Sequence, residues 1–351
     1  MFTIPQFTTP LIECIPNFSE GRNLNFIDSL IKNLKKIDTI HILDTNSSYY
    51  ANRSVITFIG HPIKISEAIY ECYKTATTLI DMRNHTGIHP RLGALDVCPI
   101  VPIAQVTYQD CKNIINEISP VIANDFQIPL FCYNLSALNL ANKYIAPIRK
   151  GGYESLAARL NKEIFPDYGA KFYNPKFGAG FIGTRPPLIA YNVNLTTTNT
   201  TTIKTIARYL RLARDKHKIK LENYDDLNLI NSLSTNFNLN GLLAFGWNNN
   251  NFSQIALNIT DYKLTIPSTA YKAVEMAANH FQIKTAKAEL IGLLPMEAVY
   301  LSLTQSNLLT ITTDNQSKLI DQGIKTLNLD PTLTADQLIL EYKIKNALNA
   351  N

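Results

Sequence analysis

The stretch Asp81-Met-Arg-Asn-His-Thr-Gly-Ile-His-Pro-Arg-Leu-Gly-Ala-Leu-Asp-Val-Cys-Pro-Ile100 begins as a polar loop and ends as an apolar strand. Two glycines and one proline break any regular backbone in its first part, so its charged side chains lie on a loop. Two of the six histidines of the chain, His85 and His89, lie in this loop. Polar side chains on a loop that leads directly into a buried strand are typical of an active site.

The residues before this loop predict a strand, a helix, two strands and a second helix. Apolar residues recur at i, i+3 and i+4 from Phe26 to Ile37 and from Ile65 to Leu79, which predicts two amphipathic helices. With the strand after the loop, the order is β-α-β-β-α-β, the ferredoxin-like arrangement of a mostly antiparallel sheet with helices on one face. The predicted strands span 11–15, 39–43, 54–59 and 94–103, and a helix near 108–118, disturbed by Pro120, leads to a strand over 128–133.

The second half of the chain repeats this rhythm. Strands are predicted at 188–195, 242–247, 254–259 and 288–294, and helices at 201–214, 268–280 and 296–303. Consecutive asparagines from Asn248 to Asn251 predict a hairpin turn, and the polar stretch 216–240 is an excursion of unassigned structure. We therefore predict an α+β fold of two ferredoxin-like βαββαβ subdomains, residues 1–185 and 186–351, packed around a central ligand cleft.

The composition predicts a folded, reduced protein with a small-molecule ligand. Of its 351 residues, 46% are hydrophobic and 17% are charged, which suffices for a buried core. The net charge of +5 is scattered, so it predicts no nucleic-acid binding and fits a small anionic ligand. Five dispersed cysteines without a C-x-x-C pair predict neither a zinc knuckle nor a disulfide framework. Because no signal peptide and no apolar run of about 18 residues is seen, we expect a cytoplasmic protein that does not span a membrane.

The two loop histidines are the first candidates for chemistry. His85 and His89 are four residues apart, a spacing that on a helix suits a metal, but Gly87 and Pro90 exclude that helix. We therefore predict no metal site. Either histidine fits a structural hydrogen bond, and either fits a general acid or base, because the ordinary pKa of histidine lies near neutral pH.

The run Gly178-Ala-Gly-Phe-Ile-Gly183 matches the letters of a dinucleotide-binding motif without its context. That motif needs a strand before it and a helix after it, whereas here a proline pair and a strand follow. We instead predict a glycine loop, ending in Arg185, whose backbone approaches a flat ligand closely.

Other polar side chains admit both a functional and a structural interpretation. Asn192 and Asn194 share one face of a strand, where they fit either a pterin-like heterocycle or an ordinary solvent-facing surface. Arg53 and Arg91 fit either a clamp on carboxylates or the surface. Cys98, just inside a buried strand, fits the core better than a nucleophile.

Taken together, these stretches resemble the formiminotransferase family, whose members move a formimino group from N-formimino-glutamate to tetrahydrofolate. The resemblance spans roughly residues 11–343. It rests on the family's opening, Leu11-Ile-Glu-Cys-Ile-Pro-Asn-Phe-Ser-Glu-Gly21, on its central signature over 80–99, and on the segments 52–60, 166–169, 178–179, 192–194, 244–247, 289–295 and 339–342.

The resemblance implies an enzyme of histidine degradation and one-carbon metabolism, with folate bound between two α/β subdomains. It implies that His89 is the acid/base, which moves a proton from N5 of tetrahydrofolate to the departing glutamate nitrogen. The loop acids Asp44 and Asp96 then fit either of two roles, orienting His89 or stabilising its charged form. Tetrahydrofolate is then a co-substrate. The implied substrate-binding residues are Arg53, Arg91, Asp167, Tyr168, Gly169, Lys176, Gly178, Arg185, Asn192 and Asn194.

Two positions depart from the family pattern. Ile88 precedes His89 where members often carry glutamate, and Asn46 stands where some carry a second aspartate. Fewer acids beside the histidine lower its pKa.

Several alternatives stay open at this stage. These are an ATP-dependent enzyme that acts on 5-formyltetrahydrofolate, a folate-binding protein without turnover, and a metal-dependent hydrolase. We expect no cyclodeaminase domain in this chain, and leave open a separate cyclodeaminase partner and a homodimer.

Overall fold

The computed structural model describes residues 3–170, 172–217, 226–248, 253–305 and 316–349. The chain divides into an N-terminal unit, residues 6–185, and a C-terminal unit, residues 186–346. Residues 3–5 group with the C-terminal unit and residues 347–349 with the N-terminal unit.

The N-terminal unit is built on the predicted ferredoxin-like core. Its strands are β1 (Leu11–Cys14), β2 (Asn17–Phe18), β3 (His41–Ser48), β4 (Arg53–Gly60) and β5 (Leu95–Ala104), and its helices are α1 (Leu24–Leu34) and α2 (Pro62–Leu79). β1 and β2 lie in succession between β4 and β5, and β3 pairs with the outer edge of β4, all antiparallel. Most of the apolar positions that predicted α1 and α2 are buried against the sheet, although Leu79 at the end of α2 is 45% exposed, so the two helices are confirmed.

The helix α3 (Tyr108–Asp125) continues beyond the predicted end near Ile118. Pro120 lacks the N–H for one helical hydrogen bond, which predicted a disturbance at that point. Its buried positions nevertheless continue past the proline at Ile122 and Ala123. Packing of this face therefore outweighs the lost hydrogen bond.

The predicted glycine loop is wrong, because Gly180–Thr184 is a fully buried strand, β7. β7 lies between β5 and β6 (Leu130–Cys132) and is parallel to both. Ile182 packs on the side of α1 to α3, and Phe181 packs on the other side, beneath α4 (Ile145–Arg149) and α5 (Gly152–Arg159). Helices therefore cover both faces here, as is usual for parallel strands, and the expectation of helices on one face fails for this part of the sheet.

The C-terminal unit confirms the second predicted βαββαβ repeat. Strands β8 (Ile189–Leu195), β9 (Leu242–Asn248), β10 (Ser253–Ile259) and β11 (Thr285–Ile291) form an antiparallel sheet in the order β11-β8-β10-β9. β11 begins three residues earlier than predicted. The helices are α6 (Thr200–Asp215), α7 (Leu227–Asn236), α8 (Pro267–His280), α9 (Met296–Gln305), α10 (Gln316–Lys325), α11 (Ala335–Leu338) and α12 (Leu340–Asn349).

Two sequence predictions in this unit fall partly outside the described residues. β9 and β10 pair as a hairpin, but positions 249–252 of the predicted asparagine turn lie outside. The same holds for residues 218–225 of the polar stretch 216–240, which otherwise contributes α7. None of the described helices combines the length and apolar character needed to span a membrane.

The five cysteines are buried free thiols. Cys98 lies in the core with no exposed surface, as predicted, and its sulfur is 3.8 Å from that of Cys14. Burial raises the pKa of Cys14 well above its usual value, so this thiol stays protonated and acts as a small apolar side chain.

Gly178, a predicted ligand contact, has a backbone role that yields a test. Its φ is +81°, and a Cβ there would lie 2.3 Å from the carbonyl oxygen of Leu92. We expect Gly178→Ala to lower the free energy of unfolding by about 3 kcal/mol, because left-handed strain and a backbone clash add together. Urea denaturation measures this change.

Gly151→Ala is the matched control for this prediction. Gly151 has a similar φ of +79°, but its added Cβ would meet only side-chain atoms of Ser155, the Oγ at 2.5 Å and the Cβ at 2.8 Å, and no backbone carbonyl. We expect a smaller loss, about 1–2 kcal/mol, from left-handed strain and a small shift of Ser155. Equal losses in the two variants would contradict the assigned clash.

Candidate active site

Asp96 is the buried centre of the polar group beside the predicted active-site loop. It lies at an irregularity of β5, where β2 pairs with residues 95 and 97, and such bulges redirect side chains. Its carboxylate has no exposed surface and accepts hydrogen bonds from Arg53 Nη1 (2.8 Å), Arg149 Nη2 (2.8 Å) and the Leu92 backbone N–H (2.9 Å). Burial alone would raise the pKa of Asp96, but attraction to Arg149 and Arg53 outweighs it, so the pKa lies below its usual value.

The two arginines that bind Asp96 are held to different degrees. Arg53, on β4, also donates to Asn17 Oδ1 at 2.9 Å. Arg149, at the end of α4, makes its single hydrogen bond within the described structure to Asp96, and its guanidinium stacks 5.5 Å from the centre of the Phe181 ring. Its Nε is buried without a described acceptor. Together, the three side chains carry one net positive charge.

His89 lies beside this group, and its hydrogen bonding fixes its tautomer. Its Nδ1 is 2.7 Å from the carbonyl oxygen of Pro90, which can only accept, so Nδ1 carries the proton. No described protein group lies within hydrogen-bonding distance of Nε2. Part of the ring is exposed, yet protein surrounds most of it. This burial, and then the repulsion from Arg53 and Arg149, holds the pKa of His89 well below its usual range, and the attraction of Asp96 opposes them.

His85 is instead a structural residue. Its Nδ1 accepts from Arg91 Nε at 3.0 Å, and its Nε2 donates to the Asn52 carbonyl oxygen at 3.0 Å. Both ring nitrogens are thus used, and burial lowers the pKa of His85. Arg91, predicted as a carboxylate clamp, does clamp one, but it is that of Glu154, at 2.9 and 2.6 Å. These contacts tie the loop to α5.

Exposed apolar and aromatic side chains lie beside His89. Ile88 is 44% exposed, and its N–H approaches the carbonyl oxygen of Tyr50 at 3.4 Å. Tyr49 and Tyr50 are 64% and 42% exposed, and their ring centres are 5.9 Å apart. Arg22 stacks on the Tyr49 ring and donates to the Tyr49 carbonyl oxygen. The segment therefore presents apolar surface beside the histidine.

The second predicted acid, Asp44, lies on the same face of the sheet as Arg53. It pairs across the ladder with Thr57, which is four residues, or about 13 Å, along β4 from Arg53. Both predicted acids are on strands rather than on loops, which corrects that description. The role of Asp44 toward His89 stays a prediction.

The predicted substrate-binding residues between Asp167 and Gly178 are held largely by contacts with the backbone. Asp167 accepts from the Cys132 N–H at 2.7 Å and from Asn142 Nδ2 at 2.9 Å, and burial raises its pKa. Lys176 donates to the Thr78 carbonyl oxygen at 2.9 Å. Gly169 has a φ of +68° and no room for a side chain. Tyr168 and Gly169 also line a shallow cavity of about 370 Å³ beside α3.

Arg185, Asn192 and Asn194 complete the predicted set. Arg185 is half-buried at the end of the N-terminal unit, where its charge acts on Tyr133. In the C-terminal unit, Asn192 and Asn194 share the predicted face of β8. Asn194 Oδ1 accepts from the buried Gln254 at 2.8 Å. The amide side chains of Asn194 and Gln254 are therefore hydrogen-bonded to each other on this face. The Asn194 amide also donates to the Lys287 carbonyl oxygen.

Arg149 is the residue that the sequence analysis missed. It is 53 positions from Asp96, in a short helix with no predicted element. Arg159 holds the end of that helix, donating to the carbonyl oxygens of Pro147 and Ile148. Among the described residues, no cluster of three histidine, cysteine or acidic side chains is arranged to hold a metal.

Comparison with known proteins identifies relatives over most of the chain. Residues 11–185 match the family profile described as "Formiminotransferase domain, N-terminal subdomain", and residues 190–345 match "Formiminotransferase domain". The glutamate formimidoyltransferase of Streptococcus pyogenes serotype M1 is 33% identical over 82% of this chain and 90% of its own length. That of Thermoplasma acidophilum is 34% identical, over 82% and 89%.

A fused relative extends the comparison. The formimidoyltransferase-cyclodeaminase of Dictyostelium discoideum is 33% identical over 83% of this chain, which spans 52% of that protein. Both halves of the chain thus match one family, in the order and with the boundary that the fold shows. The chain belongs to the formiminotransferase family.

Proposed function

We propose that this protein transfers the formimino group of N-formimino-L-glutamate to tetrahydrofolate, giving 5-formiminotetrahydrofolate and glutamate. The observation that carries the proposal is a neutral imidazole, His89, with its Nδ1–H held by the Pro90 carbonyl and its Nε2 lone pair available. Family membership supplies the reaction class.

The neutral state of His89 suits the first proton transfer. Its Nε2 accepts the proton of N5 as N5 bonds to the amidine carbon. The imidazolium then donates that proton to the glutamate nitrogen as the bond from this nitrogen to the amidine carbon breaks, so His89 ends neutral. Asp96 stabilises the transient positive charge, because its attraction opposes the lowered pKa of His89. Such transfers contribute about 10²–10⁴-fold to a rate.

The surroundings of His89 fit the two substrates. Tetrahydrofolate supplies the nucleophilic nitrogen, and we propose that its ring system packs on the apolar surface of Ile88, Tyr49 and Tyr50. The excess positive charge around Asp96 suits carboxylates, which both substrates carry. No metal is needed, because the leaving nitrogen departs protonated.

We also propose that the protein is cytoplasmic. A second proposal concerns the reaction that consumes its product. The printed name of the Dictyostelium discoideum relative joins the transferase to a cyclodeaminase. We infer that a cyclodeaminase activity consumes the 5-formimino product of this chain.

The first test is His89→Ala. We expect formimino transfer to fall by about 10²–10⁴-fold while tetrahydrofolate binding is retained. The assay mixes protein with both substrates, acidifies, and follows methenyl-tetrahydrofolate absorbance. His61→Ala is the control, because His61 caps α2 and should affect stability only. A His89→Ala variant with wild-type turnover would contradict the proposed role.

The pH profile is the second test. Because burial lowers the pKa of His89, the free enzyme keeps its base down to below pH 6.5. We therefore expect kcat/KM to stay level near pH 7 and to fall only as the pH drops through a value below 6.5.

The variant Ile88→Glu sharpens this test. A carboxylate beside His89 favours the imidazolium, so we expect the acid limb of kcat/KM to move to higher pH. Ile88→Gln has a similar side-chain size without the charge, and should leave the limb in place. An acid limb that does not respond to Ile88→Glu would mean that another group governs it.

A further inference from the structure

We propose that Arg149 binds the α-carboxylate of the formimino donor and so places the amidine carbon beside His89. The inference names a substrate-binding residue that neither the sequence motifs nor the family names assign. It rests on the proposed function for the identity of the donor.

The first support is the incomplete hydrogen bonding of Arg149. A guanidinium has five N–H donors, and that of Arg149 makes one hydrogen bond, to Asp96, within the described structure. Its Nε is enclosed without an acceptor, while 18% of the side chain remains exposed. Asp96 uses only one of the four Nη N–H groups. A ligand anion at the exposed edge of the guanidinium supplies acceptors for the Nη N–H groups that Asp96 leaves unpaired.

The second support is charge. Arg53 and Arg149 share the single carboxylate of Asp96, whose other oxygen is occupied by the Leu92 N–H. One positive charge is therefore left uncompensated among these three side chains. Arg53 is the less suitable ligand for an anion, because it also donates to Asn17 and is only 11% exposed.

The third support is position. Arg149 binds the same carboxylate, that of Asp96, as the Leu92 N–H, which follows His89 by three residues in the histidine loop, and its charge acts on His89. In N-formimino-glutamate the α-carboxylate is attached to the carbon that bears the departing nitrogen, about 4 Å from the amidine carbon by ordinary bond lengths. The γ-carboxylate lies several bonds further away. An arginine beside the acid/base thus matches the α-carboxylate.

Arg149 is also held firmly enough to position a substrate. The Arg159 side chain donates to backbone carbonyls on both sides of it, including Ile148 at 3.0 Å, and pairs with Glu163 at 2.9 Å. The Phe181 ring supports the guanidinium face. Such a fixed guanidinium loses little conformational freedom when it binds a carboxylate.

The test compares donors that lack one carboxylate each. N-formimino-4-aminobutyrate lacks the α-carboxylate, and N-formimino-2-aminobutyrate lacks the γ-carboxylate. For the wild type, we expect loss of the α-carboxylate to lower kcat/KM by about 10- to 100-fold, the size of a charge-assisted contact. In Arg149→Met, we expect the same loss to cost less than about threefold, whereas loss of the γ-carboxylate costs both proteins equally.

Two further variants distinguish carboxylate binding by Arg149 from a purely structural effect of its loss. Arg149→Lys keeps a charge for Asp96, and we expect it to retain part of the α-carboxylate discrimination. Arg159→Met loosens the end of α4 without touching the substrate, so it should lower stability and leave the ratio between donors unchanged. Thermal unfolding of each variant shows whether it is folded. If Arg149→Met lowers all donors equally, or removes the γ-carboxylate discrimination instead, the inference is overturned.

Direct binding separates this inference from the proposed function. Calorimetry with N-formimino-glutamate requires no turnover, and we expect binding that weakens by about 10- to 100-fold in Arg149→Met. A wild type that binds the donor in this way without transferring the group would retain the inference and overturn the proposed function. A wild type that neither binds nor transfers would overturn both.

Discussion

A single buried carboxylate, that of Asp96, joins the segments that carry the site. It accepts hydrogen bonds from Arg53 on β4, from Arg149 on α4 and from the backbone at Leu92 in the histidine loop. Withdrawing a carboxylate from water costs several kcal/mol, and only close, charged donors offset this cost. The positions of the strand, the helix and the loop are therefore mutually constrained. His89 lies where those constraints meet, and its burial, followed by the charges of Arg53 and Arg149, lowers its pKa and keeps the imidazole neutral.

Each functional element follows from a local backbone feature. The irregular pairing of β2 with β5 directs Asp96 out of the strand alternation. The Pro90 carbonyl fixes the His89 tautomer, and the Arg91–Glu154 pair ties the loop to α5. The same loop thus combines one histidine that is fully hydrogen-bonded with one whose Nε2 faces no described protein partner. Sequence spacing alone did not distinguish them, because tautomers depend on partners that are distant in sequence.

Periodic patterns predicted most of the architecture. The helical spacing of apolar residues and the polar alternation in β8 reflect burial on one face, so both ferredoxin-like repeats could be predicted. β7 was mistaken for a loop because it is glycine-rich, and its glycines serve close packing: a Cβ at Gly183 would lie 2.4 Å from the Tyr133 carbonyl oxygen. Arg149 was missed because an ion pair across 53 residues leaves no local signal. The site is therefore less predictable than the fold.

The most direct test of the account is the protonation state of His89. Nuclear magnetic resonance of protein labelled with 15N and 13C in its histidines, with His89→Ala for assignment, reports both tautomer and titration midpoint. The account predicts a His89 ring that carries its proton on Nδ1 at neutral pH and gains a second proton only below pH 6.5. A ring protonated on Nε2, or a midpoint at or above 6.5, would contradict the claim that burial, with the repulsion of Arg53 and Arg149, holds His89 as a neutral base.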